Sequence, residues 1–291
     1  MNKTSRLNKL ISRKKLSGLA DRRLARDLEA VCQRLEKNEY ETSGIVKNVF
    51  DMAEQSRVLY AHLKTYARIG DAWSEIFKIL PIKRFAEILD ICPGFAPKIE
   101  IGLFYRGYKG RVVVLDKQKA AVTNLKKIMS LFRPDFEIVP YARNLFFPAR
   151  KKFRMVAGNH VFDDLILEYF CEKNRIDSRN IYEKEGRFVK VWGMILRQNR
   201  DFEDELVDKF SGVFRSLTEK GGYLCLAQYK SYMEKMLSLD NSYSFTRKIF
   251  RKVITNLLRN GFLKLQIDEK IFKQKDKYFN QGDFAILKRI R

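Results

Sequence analysis

Two acidic residues 26 positions apart, Asp90 and Asp116, each close a short apolar run: Ile88 and Leu89 lead into the first, and RVVVL from Arg111 leads into the second. An ionised carboxylate only accepts hydrogen bonds, and the hydroxyls of a ribose need acceptors for their protons. Two such acids at the ends of neighbouring strands therefore point to a ligand that contains a nucleoside. Asp90 lies in FAEILDICPGFAPKIEIG, residues 85–102, where the apolar run opens into a turn carrying Pro93, Gly94 and Pro97. A strand that enters a Gly/Pro turn and then a helix makes a place for a ligand. A second group follows in Gly158-Asn159-His160-Val161-Phe162-Asp163-Asp164. His160 can take a proton near neutral pH and is the candidate base. Asp163 and Asp164 can orient it or a substrate, and two acids in a first helical turn are also what the helix dipole favours.

The elements that must position these groups follow from periodicity. Apolar runs predict strands at about 86–91, 111–116, 136–140, 153–158, 222–228, 262–267 and 283–289, and helical patterns predict helices at 97–106, 118–131, 161–172, 203–219 and 246–260. Alternation of this kind implies an α/β fold with a mostly parallel sheet covered on both faces and ligands at the carboxyl ends of the strands. The last two strands are expected to form an antiparallel hairpin at the sheet edge. Ahead of them, residues 1–40 are basic and helical in pattern, with an apolar stripe at Leu24, Leu28, Val31 and Leu35. A second helix is expected over 45–68, stopped by Gly70, and a third from Trp73 to Leu80, ended by Pro81. The boundary is drawn near residue 70: a basic helical region, 1–70, and a larger domain, 71–291.

Composition narrows the function. The 291 residues carry 58 Lys and Arg against 35 Asp and Glu, a net charge of +23. Such an excess favours phosphate-rich partners through counterion release and long-range steering. Four scattered cysteines, without a CxxC pair, and two histidines give no expectation of a disulfide framework or a metal site. No apolar run reaches membrane-spanning length and no secretory leader is visible, so a cytoplasmic protein is expected. Residues 168–201 make a longer link than two helices need. They interleave Lys173, Arg175, Arg179, Lys184, Arg187, Lys190, Arg197 and Arg200 with Tyr182, Phe188 and Trp192. That mixture suits phosphates and stacked bases, and equally a lid anchored by its aromatics.

In this order the segments resemble the class I S-adenosylmethionine-dependent methyltransferases over about 75–291. Asp90-Ile91-Cys92-Pro93-Gly94-Phe95-Ala96 is similar to the family's acid followed by a glycine-rich turn, and Asp116 to its ribose-holding acid. Ala142-Arg143-Asn144-Leu145-Phe146-Phe147 resembles the segment after strand three that flanks the adenine, and Phe153 to His160 resembles strand four and its loop. Glu219-Lys220-Gly221-Gly222-Tyr223-Leu224 and Asn260-Gly261-Phe262 resemble the entries to strands five and six. The resemblance implies a seven-stranded Rossmann-like sheet and S-adenosylmethionine as cofactor. It implies cofactor contacts at Asp90, Cys92, Gly94, Ala96, Asp116, Arg143, Asn144 and Asn159, with His160 and Asp163 as catalytic candidates. With the charge, it implies a methyltransferase acting on RNA. The alternatives are a small-molecule or protein methyltransferase, and a catalytically inactive nucleic-acid-binding protein of the same fold. Cys92 and Ala96 stand where the family's turn usually has glycine, and Tyr141 stands near a position that commonly holds an acid.

Overall fold

The computed structural model of the chain describes residues 55–94, 96–146, 151–178, 181, 185–230, 234, 239–268 and 279–291. The basic stretch and apolar stripe expected within the first 54 residues lie outside the described residues.

The apolar runs form one sheet whose central strands are buried on both faces. In RVVVLD the exposed Arg111 starts β2 (Arg111–Asp116) and every later residue is buried. The strands β1 (Glu87–Ile91), β2, β3 (Glu137–Ala142), β4 (Phe153–Asn159), β5 (Thr218–Ala227), β6 (Phe262–Lys264) and β7 (Phe284–Arg289) lie in the order β3-β2-β1-β4-β5-β7-β6. The pairs β1–β2, β1–β4, β2–β3 and β4–β5 are parallel, whereas β7 runs antiparallel to both β5 and β6. The terminal antiparallel pair is therefore present, with β7 inserted beside β5 and the short β6 outermost.

Alternate residues of each strand feed two separate cores. Ile88, Val112, Val114, Met155, Ala157 and Cys225 face α1 (Gln55–Ile79), α2 (Lys98–Tyr105) and α3 (Lys119–Phe132). Leu89, Ile91, Val113, Leu115, Val156 and Leu226 face α4 (Phe162–Lys173), α5 (Glu185–Ile195), α6 (Arg200–Leu217) and α7 (Asp240–Arg259).

Three expectations change. First, Gly70 does not stop a helix: α1 runs unbroken from Gln55 to Ile79. Its glycine serves a close crossing, since a Cβ at Gly70 would lie 2.6 Å from Ile101 Cγ2, and one at Gly102 would lie 2.7 Å from Trp73 Cβ and 2.9 Å from Gly70 O. Gly102→Ala is expected to force these helices apart and lower unfolding stability by about 2 kcal/mol, the usual cost of overpacking, as measured by urea denaturation. Second, β5 starts at Thr218, ahead of the paired glycines, with a register shift against β4 between Phe153 and Met155. Third, 168–201 contains α5, whose Phe188 and Trp192 are buried in the core beneath α4. These two aromatics anchor the segment, which removes them as a stacking surface.

Candidate active site

Parallel pairing of β1 with both β2 and β4 brings the carboxyl ends of the three strands together, in register from Asp90 to Val114 and from Asp90 to Ala157. At the end of β2, Asp116 is buried and its oxygens accept two backbone hydrogen bonds, from Gly94 N (3.1 Å) and Gln118 N (2.7 Å). The ribose-holding candidate thus ties the turn after β1 to the start of α3, and each oxygen keeps a second lone pair. Burial raises its pKa, and these N–H groups and Lys117 oppose the rise.

The turn itself is tight. Cys92 has φ 50° and donates its N–H to Leu115 O at 2.7 Å, and Gly94 has φ 61°. Left-handed backbone suits glycine and costs a side chain on the order of 1 kcal/mol, so Cys92 occupies a place made for a smaller residue. Among the described residues, a Cβ at Gly94 would meet nothing within 4 Å, which leaves room above the turn where a ligand can approach the backbone. The Cys92 thiol is pushed well up by burial and then by Asp116, Asp164 and Asp90, which keeps it protonated and unreactive.

Asp90 stands beneath this turn, fully buried beside Glu100 of α2, and none of the four carboxyl oxygens has a donor from elsewhere among the described residues. Two adjacent buried carboxylates repel, so the pair holds a shared proton. Burial, then Glu100, then Asp116 drive the Asp90 pKa well up against Lys98, and burial drives Glu100 to about 7. An acid whose folded pKa is raised stabilises the fold while protonated. That contribution is complete below the ordinary glutamate value of 4.5 and is lost as pH rises through about 7. Stability in urea is expected to fall by on the order of 3 kcal/mol between pH 5 and pH 8, and Glu100→Gln is expected to flatten that slope.

On the other side of the edge, β4 delivers Asn159 and His160. Asn159 is buried and already engaged: its Oδ1 accepts from Trp73 Nε1 at 2.8 Å and its Nδ2 donates to Tyr229 Oη at 2.9 Å. His160, with φ 58°, donates its backbone N–H to Ala227 O at 2.7 Å, which extends the β4–β5 pairing by one residue. Its ring lies between two carboxylates, with Nδ1 3.1 Å from Asp163 Oδ1 and Nε2 3.4 Å from Glu234 Oε2, and 5.1 Å from the Tyr229 ring. Burial disfavours the imidazolium, but Asp163 and Glu234 outweigh it and raise the His160 pKa well above 6.5. Ligand-type atoms of these three residues fall within 4.8 Å of one another. The two ring nitrogens face different carboxylates, which is the arrangement of a held imidazolium rather than of ligands converging on one ion.

The predicted residues therefore gather at one edge in two clusters, the Asp90–Cys92–Gly94–Asp116 turn and the Asn159–His160–Asp163 loop. Asp164 links them through its charge on Cys92. Ala96 is buried at the start of α2. Arg143 and Asn144 follow β3, where Arg143 Nη1 donates to Tyr141 Oη at 2.9 Å and Asn144 Oδ1 accepts from Phe146 N at 2.9 Å. Asp163 and Asp164 occupy the first turn of α4, so the dipole role and the contact with His160 coexist. Gln228 Oε1 accepts from Phe162 N at 3.1 Å and so closes the same helix start. Sequence reasoning missed Trp73, Glu100, Tyr229 and Glu234. Glu100 carried a visible signal, a lone acid between Ile99 and Ile101, whereas the others depend on contacts across 70 residues or more.

No family model and no curated protein sequence matches the chain. Solved structures are similar in backbone course. The fibrillarin pre-rRNA processing protein of Methanococcus jannaschii has 12% identity and a TM-score of 0.40, covering 74% of this chain and 72% of that one. The plantazolicin methyltransferase BpumL, in complex with SAH, has 10% identity and a TM-score of 0.45 over 90% of this chain and 99% of that one. The pyocyanin biosynthetic protein PhzM has 12% identity and a TM-score of 0.46 over 84% and 61%. The fold assignment rests on the sheet itself. Seven strands with only β7 antiparallel, and the acid-and-turn cluster at their carboxyl ends, give this chain the fold of the class I S-adenosylmethionine-dependent methyltransferases.

Proposed function

We propose that the protein is an S-adenosylmethionine-dependent methyltransferase that acts on RNA. The observation that carries the reading is the joining of the β1 turn to Asp116 through Gly94, with room above that glycine among the described residues. The fit to the cofactor is chemical: Asp116 keeps acceptor capacity for a ribose diol, and Gly94 leaves backbone accessible at the turn. Asp116 would hold the ribose, the turn would lie against the methionine portion, and Arg143 and Asn144 would flank the adenine. Bound there, the cofactor supplies a methyl group on a sulfonium together with its own leaving group. The protein's share is alignment of the acceptor and removal of its proton. His160, in its neutral form, is the proposed proton acceptor, with Asp163 at Nδ1 and Glu234 at Nε2 orienting the ring.

The RNA assignment is supported by the +23 charge and by the exposed Lys190, Arg197 and Arg200 of the 168–201 segment. A second reading, a nucleic-acid-binding protein without catalysis, is favoured by the Cys92 side chain in the left-handed position of the turn. Among the described residues no helix is long and apolar enough to cross a membrane. Incubation with methyl-labelled cofactor separates the readings. Label transferred to total RNA supports the proposal. Label transferred to small molecules or proteins instead overturns the substrate, and cofactor binding without transfer to any acceptor supports the second reading.

A further inference from the structure

The two faces of the sheet differ in how many acids stand among their cations. On the α4–α7 side acids are interspersed and several cations pair with them: Lys248 and Lys252 meet Glu203, Lys252 also meets Asp204, and Lys173 meets Glu205. On the α1–α3 side, residues 98–133 hold two acids, Glu100 and Asp116, and both are buried. The next exposed acids in sequence, Asp135 and Glu137, lie beyond α3. In that stretch Arg111 pairs with Glu87 and Lys117 with Glu168. Arg106, Lys109, Lys119, Lys126, Lys127 and Arg133 make no ion pair among the described residues.

These six cations are carried by adjoining elements. Arg106 caps the end of α2, Lys109 precedes β2, and Arg133 caps α3 in left-handed backbone with φ 51°. Along α3 the exposed residues Lys119, Thr123, Lys126, Lys127 and Ser130 fall on one face at helical spacing. From Lys119 to Arg133 the row spans about 21 Å at 1.5 Å per residue, enough for several backbone phosphates rather than one headgroup. Cations without acid partners can neutralise backbone phosphates and release the counterions condensed on the nucleic acid, and that release drives binding. A membrane surface would also need apolar side chains to insert. Among the described residues, the exposed large hydrophobics Ile79, Val189, Leu196, Leu258, Leu263 and Ile290 all lie off α2 and α3.

We infer that the outer face of α2 and α3, from Arg106 to Arg133, is a docking surface for the phosphate backbone of RNA. The inference rests on the RNA reading above and adds a surface separate from the 168–201 segment. Because α3 begins beside Asp116, a strand lying along it ends at the rim of the candidate active site. The contacts are to phosphate, so the surface sets register and affinity rather than base choice.

The test is RNA binding by the full chain over a range of salt, for wild type and the triple variant Lys126→Gln, Lys127→Gln, Arg133→Gln. The expected result is a slope of log affinity against log salt that is shallower by about two to three in the variant. Affinity near 0.1 M salt is expected to fall by about tenfold to a hundredfold, with the thermal midpoint unchanged. Wild type and variant binding RNA with the same slope would overturn this surface and leave the RNA reading standing. No RNA binding by wild type overturns both. Binding to vesicles of phosphatidylserine and phosphatidylcholine in place of RNA, lost in the variant, would make the face a membrane contact and overturn the inference.

Discussion

Trp73→Ala is expected to lower unfolding stability by about 4 kcal/mol, which displaces the thermal midpoint downward by roughly 10 °C for a chain of this size. The side chain is fully buried, packs on Phe77 at 5.6 Å and edge-on to Phe284 at 6.4 Å between ring centroids, and donates Nε1–H to Asn159 Oδ1. Truncation opens a cavity between α1 and the sheet and leaves a buried amide oxygen short of a donor. Trp73→Phe separates the two costs: it keeps most of the volume but not the hydrogen bond, so a loss of about 1–3 kcal/mol is expected from the bare Asn159 oxygen. Scanning calorimetry of both variants checks this, and a Phe variant as damaged as the Ala variant would show that the hydrogen bond dominates. The effect also bears on function, because Asn159 ends β4 and immediately precedes His160.

His160→Asn is expected to lower turnover by about a hundredfold to ten-thousandfold while leaving cofactor affinity unchanged. Asparagine tolerates the left-handed backbone at φ 58°, so the variant removes the proton acceptor without straining the turn. The pH dependence gives the second readout. Asp163 and Glu234 outweigh burial and raise the folded pKa of His160, which favours the imidazolium and makes the neutral base scarcer. Turnover should therefore rise as pH increases through that pKa, and the rise should vanish in His160→Asn. A wild-type profile that is flat across neutral pH, or full turnover by the variant, removes His160 as the base.

What could be read from the sequence was set by how local the cause is. Strand β2 matches the expected 111–116 residue for residue, because a run buried on both faces and closed by an acid has no competing period. The positions of Asp90 and Asp116 at adjacent strand ends follow from that clarity and from the parallel order. Gly70 does not stop the helix because its cause is a neighbouring helix, which would put Ile101 Cγ2 2.6 Å from a Cβ there, and nothing in the 55–79 pattern encodes α2. The short β6 and the early start of β5 depend on which strand lies alongside, not on their own residues. At the site, residue types in one loop pointed to His160 and Asp163, whose side chains lie together. The partners that set the charge and position of that loop, Glu234 for His160 and Trp73 with Tyr229 for Asn159, are brought in by tertiary folding.

The cofactor site is tested most directly by calorimetric titration of S-adenosylmethionine into wild type, Asp116→Asn and Asp116→Ala, with folding of each variant verified by its thermal transition. The account predicts binding by wild type and a loss of about tenfold to a hundredfold in both variants, the usual cost of removing hydrogen bonds to a charged acceptor. No heat from wild type at millimolar cofactor would contradict the account, and binding by folded Asp116→Ala equal to wild type would remove Asp116 as the ribose acceptor.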